Sequence, residues 1–428
     1  MPHMLIGRRF DLSAHLKTKA SSCLLLLLTV TLFVSQFSAV FEIKGSSLQF
    51  FDSSSVRADN SDFHMASYKS KGGVSSVSMS NDGKRVAVSG VGFVSLLNDN
   101  ASALWTFETN DIVNSVSVSE DAAYVVAGTE GSRIYLFDGH DGRILWTFRT
   151  EGPVLTIKLS SDGRYVSAGI FEGNVYLLER DGGKLLWSYR AGNITAILSV
   201  AISDDGSRIV AGSSNNKIVL LSSQSSTPIW TYQTGDFIRS VAISPNGGFV
   251  AAGTNDSYIH FFSSDESGPL WSYRTEGPVR SVSISSTGDQ VACGSYDGGI
   301  YYFEKSNSTP RWTYDTGDKV LSVSLSKDGK LLLAGGASMK AYLLNVKDGS
   351  LELSYKTDFL INSTSMSENG LMMVIGGDSA ARIIGRVERK EESPLGWNST
   401  ISMGIFIIVL SLTVVILFLA MRRLKRTQ

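Results

Sequence analysis

Residues 279–316 read VRSVSISSTGDQVACGSYDGGIYYFEKSNSTPRWTYDT, and most of the chain consists of copies of this stretch. The tryptophan of each copy marks the period: Trp105, Trp146, Trp187, Trp230, Trp271 and Trp312 are spaced 41, 41, 43, 41 and 41 residues. A fixed period of about 40 residues signals a repeat architecture and outranks any local reading. Each copy holds four short β-type runs, here Ser281–Ser285, Gln290–Gly294, Gly299–Phe303 and Arg311–Asp315. Thr287-Gly288 and Asp297-Gly298-Gly299 separate them with the positive-φ residues that tight hairpins need. Four strands per period make one propeller blade. VACGS and IYYF are apolar on both faces, as strands sandwiched between neighbouring blades would be. Gly90, Gly128, Gly169, Gly212, Gly253, Gly294 and Gly335 recur at the end of the second strand, where backbone is expected to approach backbone near the axis.

The blade number follows from aligning the Trp-x-aromatic edge. Leu353-Ser354-Tyr355 lies 41 residues after Trp312, and Ala66-Ser67-Tyr68 lies 39 residues before Trp105. After Tyr355 come three more runs, Ser363–Ser367, Met372–Gly376 and Ala381–Gly385, without a fourth. Pairing residues 63–69 beside Ala381–Gly385 would complete eight four-stranded blades and remove the exposed edges of an open array. The expected fold is therefore an all-β, eight-bladed propeller over residues 62–387, with a seven-bladed ring as the alternative.

Composition narrows the rest. A net charge of -1 over 428 residues offers no basic footprint for nucleic acid. Cys23 lies in an apolar run and Cys293 in a blade strand, so no disulfide within the domain is expected. The five histidines are scattered without metal-ligand spacing, and no calcium loop, G-x-S-x-G stretch or phosphate loop occurs. No cofactor, metal or catalytic residue is assigned.

The flanks read as membrane anchors. Residues 1–20 form a basic tail, and 21–41 an apolar segment about long enough to span a bilayer. An uncleaved anchor is favoured over a signal peptide, because Phe37 falls where a small residue would be needed for cleavage after Ala39. Residues 42–61 are a linker and 388–399 a polar stalk. Residues 400–421 form a transmembrane helix, charge-free from Ile401 to Met421, and 422–428 a basic tail with Arg422, Arg423, Lys425 and Arg426. The positive-inside rule then puts both termini in the cytoplasm and the propeller outside it. Asn100, Asn193, Asn255, Asn307, Asn362 and Asn398 head Asn-X-Ser/Thr tripeptides and are possible glycosylation sites there.

Two resemblances follow from the repeat itself. Asp82-Gly83, Asp162-Gly163, Asp205-Gly206 and Asp328-Gly329, each in S-x-D-G before a V-A-x-G-like strand, resemble WD-repeat units, although the Trp-Asp dipeptide is missing. FDGHDGRILWTFRTEG at 137–152 and Lys184-Leu185-Leu186-Trp187 are similar to the pyrroloquinoline-quinone-type repeat of quinoprotein-like propellers. That resemblance implies a propeller over residues 63–387. It also raises a quinone-dependent dehydrogenase, but the adjacent cysteines and cofactor-roofing insertion typical of those enzymes are absent from the sequence. Non-catalytic members, including a periplasmic assembly scaffold of bacterial outer membranes, are closer in kind. The expected function is a membrane-anchored, extracytoplasmic, non-enzymatic scaffold for a protein or ligand on the outer face, with a surface sensor as the alternative.

A candidate binding face lies in the loops entering the innermost strands. They repeat an acid, Asp111, Glu151, Asp236, Glu276, Asp318 and Asp358, which suits either turn chemistry or an acidic rim attracting cations. Arg239 and Arg280 follow these loops at equivalent positions, expected at the channel mouth and free either for an anion or for pairing with Asp236 and Glu276. The six tryptophans and the aromatics two residues after them are expected to wedge between blades.

Overall fold

The structure, a computed structural model, describes residues 63–70, 72–193 and 195–387, together with Arg422. Thirty strands fill the described stretch, with one three-residue 3-10 helix at Asp181–Gly183. Within a repeat unit the strands are antiparallel, and neighbours in sequence are neighbours in the sheet. In the unit quoted above they are Val279–Ile284, Gln290–Ser295, Gly299–Glu304 and Trp312–Asp315, with Ser281 opposite Gly294, Cys293 opposite Tyr301 and Tyr302 opposite Trp312.

Eight separate four-stranded blades do not form. Hydrogen bonding divides the strands among seven sheets, six of four strands and one of six, so the expectation is corrected to an all-β propeller that is seven-bladed by sheet count. The six-stranded sheet spans two sequence units. Its strands Arg85–Asn98 and Ala103–Val118 are 14 and 16 residues long, where 6 is usual elsewhere. The cause is local: Gly90-Val91-Gly92 replaces the longer turn of other units, and Val91 pairs with Ile112, so the ladder runs on through a register shift. The strand Phe63–Lys69 closes the last sheet, from Phe63 opposite Arg386 to Lys69 opposite Ala380. The expected spans at 21–41 and 400–421 lie outside the described residues. Among those described, no helix is long and apolar enough to cross a membrane.

The ring is bonded at its axis by serine. The inner segments are Val74–Met79, the second half of Ala103–Val118, Val154–Leu159, Ile197–Ile202, Ile238–Ile243, Val279–Ile284, Val320–Leu325 and Ile361–Met366. Each packs on the next, and the last packs on the first. Their channel-side edges have no partner strand, so their N–H groups need other acceptors. The third residue of each segment supplies one to its neighbour. Val116 N–H donates to Ser76 Oγ (3.4 Å), Ile157 to Ser115 (3.2 Å), Val200 to Thr156 (3.3 Å) and Val241 to Ser199 (3.1 Å). Val282 donates to Ser240 (3.2 Å), Val323 to Ser281 (3.1 Å), Thr364 to Ser322 (3.0 Å) and Val77 to Ser363 (3.2 Å), which closes the belt. The serines are thus acceptors that weld blade to blade.

The repeated glycine acts differently from expectation. A Cβ on Gly253 would lie 2.5 Å from the Val279 side chain, and one on Gly294 2.4 Å from that of Val320. What approaches is therefore mainly the first side chain of the next inner strand; backbone is met as well at Gly90, by Gly73 O, and at Gly253, by Val279 O at 3.0 Å.

At the other end of each inner strand a serine-led turn recurs, Ser-x-Asp-Gly in its commonest form, with Asn246, Thr287 or Asn369 in place of Asp in three copies. Ser80 Oγ donates to Asp82 Oδ1 (2.7 Å), which also accepts the Lys84 N–H (3.0 Å). The turn's last position has positive φ and is Gly in seven copies but Ala122, at φ 58°, in the eighth. A left-handed conformation strains any residue with a Cβ. Ala122→Gly should therefore stabilise the protein by about 0.5–1 kcal/mol, net of the added backbone entropy, read as a raised denaturant midpoint.

Candidate binding face and channel

Two sets of loops share one face of the ring. The turns between second and third strands are tied by backbone bonds to the loops entering the inner strands: Glu130 N–H to Ile112 O (2.8 Å), Phe171 to Pro153 (2.9 Å), Tyr296 to Pro278 (2.9 Å). This face carries the expected acids and both arginines. Arg239 Nε and Nη2 donate to Asn255 Oδ1 (2.9 and 2.6 Å), and Asn255 Nδ2 donates to Asp236 Oδ2 (2.6 Å). Arg239 thus reaches its rim acid through an amide, while its guanidinium stacks over Phe237 and Tyr296 at 4.9 Å each. Arg280, on the neighbouring inner strand, is half-buried and has no hydrogen-bond or ion-pair partner among the described residues. Lys319 stands 5.5 Å over Tyr296 from the next loop.

The rim acids serve mainly local structure. Glu151 accepts from Asn174 Nδ2 (3.0 Å), Asp111 from Thr129 Oγ1 (3.5 Å), Asp318 from the Lys319 N–H (2.7 Å) and Asp358 from Arg382 (3.2 Å). Glu276 is exposed, and its N–H is held by Asp297 (2.9 Å). Of the glycosylation candidates, Asn100, Asn193, Asn307 and Asn362 are exposed, although Asn362 donates to Asp378 (3.1 Å). Asn255 is half-buried between Arg239 and Asp236, and a glycan would be attached at the Nδ2 that donates to Asp236. Asn398 lies outside the described residues.

The same face exposes apolar side chains that sequence reasoning did not single out. Phe171 is 60 % exposed and Val91 52 %, with Ile112, Met339 and Leu360 also open. Phe171, Leu198, Phe237, Glu172 and Arg190 line a recess of about 560 Å³. A larger recess, about 770 Å³, lies elsewhere among Gln290, Asp328, Asn345 and their neighbours, but most of its charges are already paired, as in Arg386–Glu352 at 2.9 Å. Other exposed apolar residues, such as Ile144, Leu185 and Leu270, lie on outer strands.

The opposite mouth is drawn together. The second residues of the Ser-x-Asp-Gly turns link backbone to backbone, as in Glu120 N–H to Ser161 O (3.2 Å) and Glu368 N–H to Asn81 O (3.0 Å). Across the axis, Lys327 pairs with Glu120 and reaches Asp204 (3.4 Å), which also accepts from Ser161 Oγ (2.5 Å). Burial pushes the Glu120 carboxyl up, but the Lys327 hydrogen bond and charge outweigh it and hold the group below its ordinary value. The signal for this cluster was the variable x of an otherwise fixed motif. Among the described residues no group of three or more His, Cys, Asp or Glu could hold a metal ion. Cys293 is buried, and burial pushes its thiol well up.

The comparisons decide the family. The family described as outer membrane protein assembly factor BamB (PQQ_2) matches residues 57–266 and 171–402. The chain belongs to this family. No curated protein matches it. Among solved structures, Sqt1 of Chaetomium thermophilum bound to the N-terminus of the ribosomal protein L10 aligns with a TM-score of 0.67 at 17% identity, covering 75% of this chain and 98% of that one. Sqt1 from the same organism, in a second structure, gives 0.66 at 18% identity, with 74% and 96% covered. At such identity the likeness to Sqt1 shows the fold alone. As a BamB-family chain, the protein is a β-propeller scaffold.

Proposed function

We propose that this scaffold is a membrane-anchored, extracytoplasmic, non-enzymatic platform that docks a protein partner on the face bearing Arg239 and Arg280. The observation that carries the reading is the set of exposed apolar side chains on that face, led by Phe171, which also carries the half-buried, unpaired Arg280. Apolar surface rimmed by polar groups marks interaction sites on otherwise polar proteins. An aromatic at the edge of a recess with arginine nearby suits the anchor residues of an interface. The charge-free run Ile401 to Met421 with its basic flank supports the anchor and the orientation.

The test is affinity capture of the full-length protein from its native membrane. Phe171→Asp should release the captured partner, whereas Asn307→Asp, an exposed turn on the opposite face, should leave it bound. Because Phe171 is exposed, both variants should keep the wild-type unfolding midpoint. Equal capture by both would remove the assignment of the face.

A further inference from the structure

The face that bears Arg239 and Arg280 has an outer rim, formed where each third strand begins and each fourth strand ends. In one unit those positions are Arg133 and Arg149, set directly opposite each other in the sheet, and in another they are Lys340 and Lys356. Like charges opposed across two strands destabilise a sheet. Arg190, Lys217, Arg274 and Lys69 hold one of the two positions in four further units. Eight of the sixteen rim positions are thus Lys or Arg, and two, Glu108 and Asp315, are acids. All the rim cations except Lys217 are exposed. None of them forms an ion pair among the described residues; the Arg133 guanidinium donates to Tyr135 OH (3.3 Å), and that of Arg274 stands 5.9 Å over Tyr258. Cations of the opposite edge do meet acids, as in Arg143–Asp138 (3.2 Å), Lys330–Asp328 (3.0 Å) and Arg386–Glu352 (2.9 Å). The acids of the rim face lie inward of the rim, in turns and inner loops, and several take local donors there: Glu151 the Asn174 amide, Asp236 that of Asn255, Asp297 the Tyr301 hydroxyl (2.9 Å). The face is therefore acidic toward its axis and basic at its circumference. Each cation pair or neighbour also has an exposed apolar residue beside it. Phe171 shares its recess with Arg190, and Met339, 41 % exposed, immediately precedes Lys340. Met339 has φ 51°, a left-handed conformation held in other units by Gly, Ser or Asn and strained for a bulky residue.

We infer that the rim docks an acidic polypeptide segment of the partner, its carboxylates on the opposed cations and its apolar side chains against Phe171 and Met339. This rests on the docking face proposed above and names the partner's chemistry. A carboxylate set between two opposed cations turns an unfavourable pair into a favourable triad. One exposed ion pair contributes little, so the rim acts through several at once and through steering of the encounter. The placement of the chain ends selects a polypeptide over the protein's own bilayer. Phe63 lies opposite Arg386, and Arg386 N–H donates to Leu371 O (2.8 Å), next to a serine-led turn. The first and last strands thus leave the ring at the edge opposite the rim. Thirteen residues separate Val387 from the apolar run that begins at Ile401. With that run as the anchor, the tethered edge faces the membrane and the rim faces away from it.

Full-length protein in a neutral detergent is titrated calorimetrically with a synthetic peptide of repeated Glu-Glu-Leu and with its Gln-Gln-Leu counterpart. The acidic peptide should bind, more weakly as salt rises, and the neutral one at least about tenfold less tightly, a loss of about 1.4 kcal/mol. The quadruple variant Arg133→Gln, Arg149→Gln, Lys340→Gln, Lys356→Gln should lose at least about tenfold for the acidic peptide as well. Its unfolding midpoint should equal or exceed that of the wild type, because the opposed like charges are gone. Lys84→Gln with Arg143→Gln, on the opposite edge, should bind as the wild type does. No binding of the acidic peptide at millimolar concentration, or equal binding by the quadruple variant, would overturn the inference. Heparin fragments or phosphatidylglycerol vesicles binding more tightly than the peptide would overturn the polypeptide assignment. Capture from the native membrane separates the rim from the face that carries it. A partner released by Phe171→Asp but held by the quadruple variant would overturn the rim alone, and a partner held by both would remove the docking face.

Discussion

Trp271→Ala is expected to destabilise the propeller by about 3–5 kcal/mol, the range for deleting a buried aromatic ring. Trp271 is 9 % exposed and stacks on Phe261 and Phe303, each with ring centroids 5.1 Å away. Its indole N–H also donates to Lys305 O (2.9 Å), 34 residues on. Every repeat tryptophan makes the corresponding bond: Trp105 to Gly139, Trp146 to Arg180, Trp187 to Ser223, Trp230 to Ser264 and Trp312 to Val346. Each ring therefore joins its own blade to an outer turn of the next unit. Trp271→Phe should keep most of the burial and lose about 1 kcal/mol with the hydrogen bond. Denaturant unfolding of the two variants checks this, and a Trp271→Ala loss below that of Trp271→Phe would contradict the wedge role.

The second large effect is on acid stability. His260 is buried, with Nδ1 2.7 Å from Ser272 Oγ and its ring between Tyr258 and Tyr232 at 5.6 Å. Burial lowers its pKa to about 4, against a weaker upward pull from Asp256. The folded protein thus keeps this imidazole neutral at pH values where the unfolded chain takes up a proton. Stability is complete above the ordinary histidine pKa and is lost as pH falls from about 6.5 toward 4, by about 2–3 kcal/mol in all. His260→Phe should remove this slope, and unfolding curves of both proteins across that range measure it. Asp82, Asp205 and Asp328 act in a lower window. Burial raises each carboxyl, but hydrogen bonds from the turn outweigh it and leave the pKa below the ordinary value, so their contribution is lost as pH falls below about 4.

The repeat was legible because it is written in spacing. The Trp period and the Gly-bearing turns located the strands, and the missing fourth strand after Ala381–Gly385 located its partner at residues 63–69. The sheet count was not legible. It depends on whether Val91 pairs with Ile112 across a two-glycine junction, a tertiary outcome that alternation patterns do not contain. The serines of the inner strands looked like spacers because a sequence does not show which edge N–H lacks an acceptor. The arginines were visible as departures in a repeated column. Phe171 carried no sequence signal, since exposure depends on which turn projects from the face.

Photo-crosslinking on intact cells addresses the docking face most directly. A photoreactive residue is placed at Phe171 or Met339 on the proposed face, and at Asp141 or Asn307 on the opposite one. The account predicts the same discrete adduct from the first pair, lost on adding Arg239→Gln with Arg280→Gln, and no such adduct from the second pair. Adducts from Asp141 and Asn307 alone, or equal adducts from both faces, would contradict it.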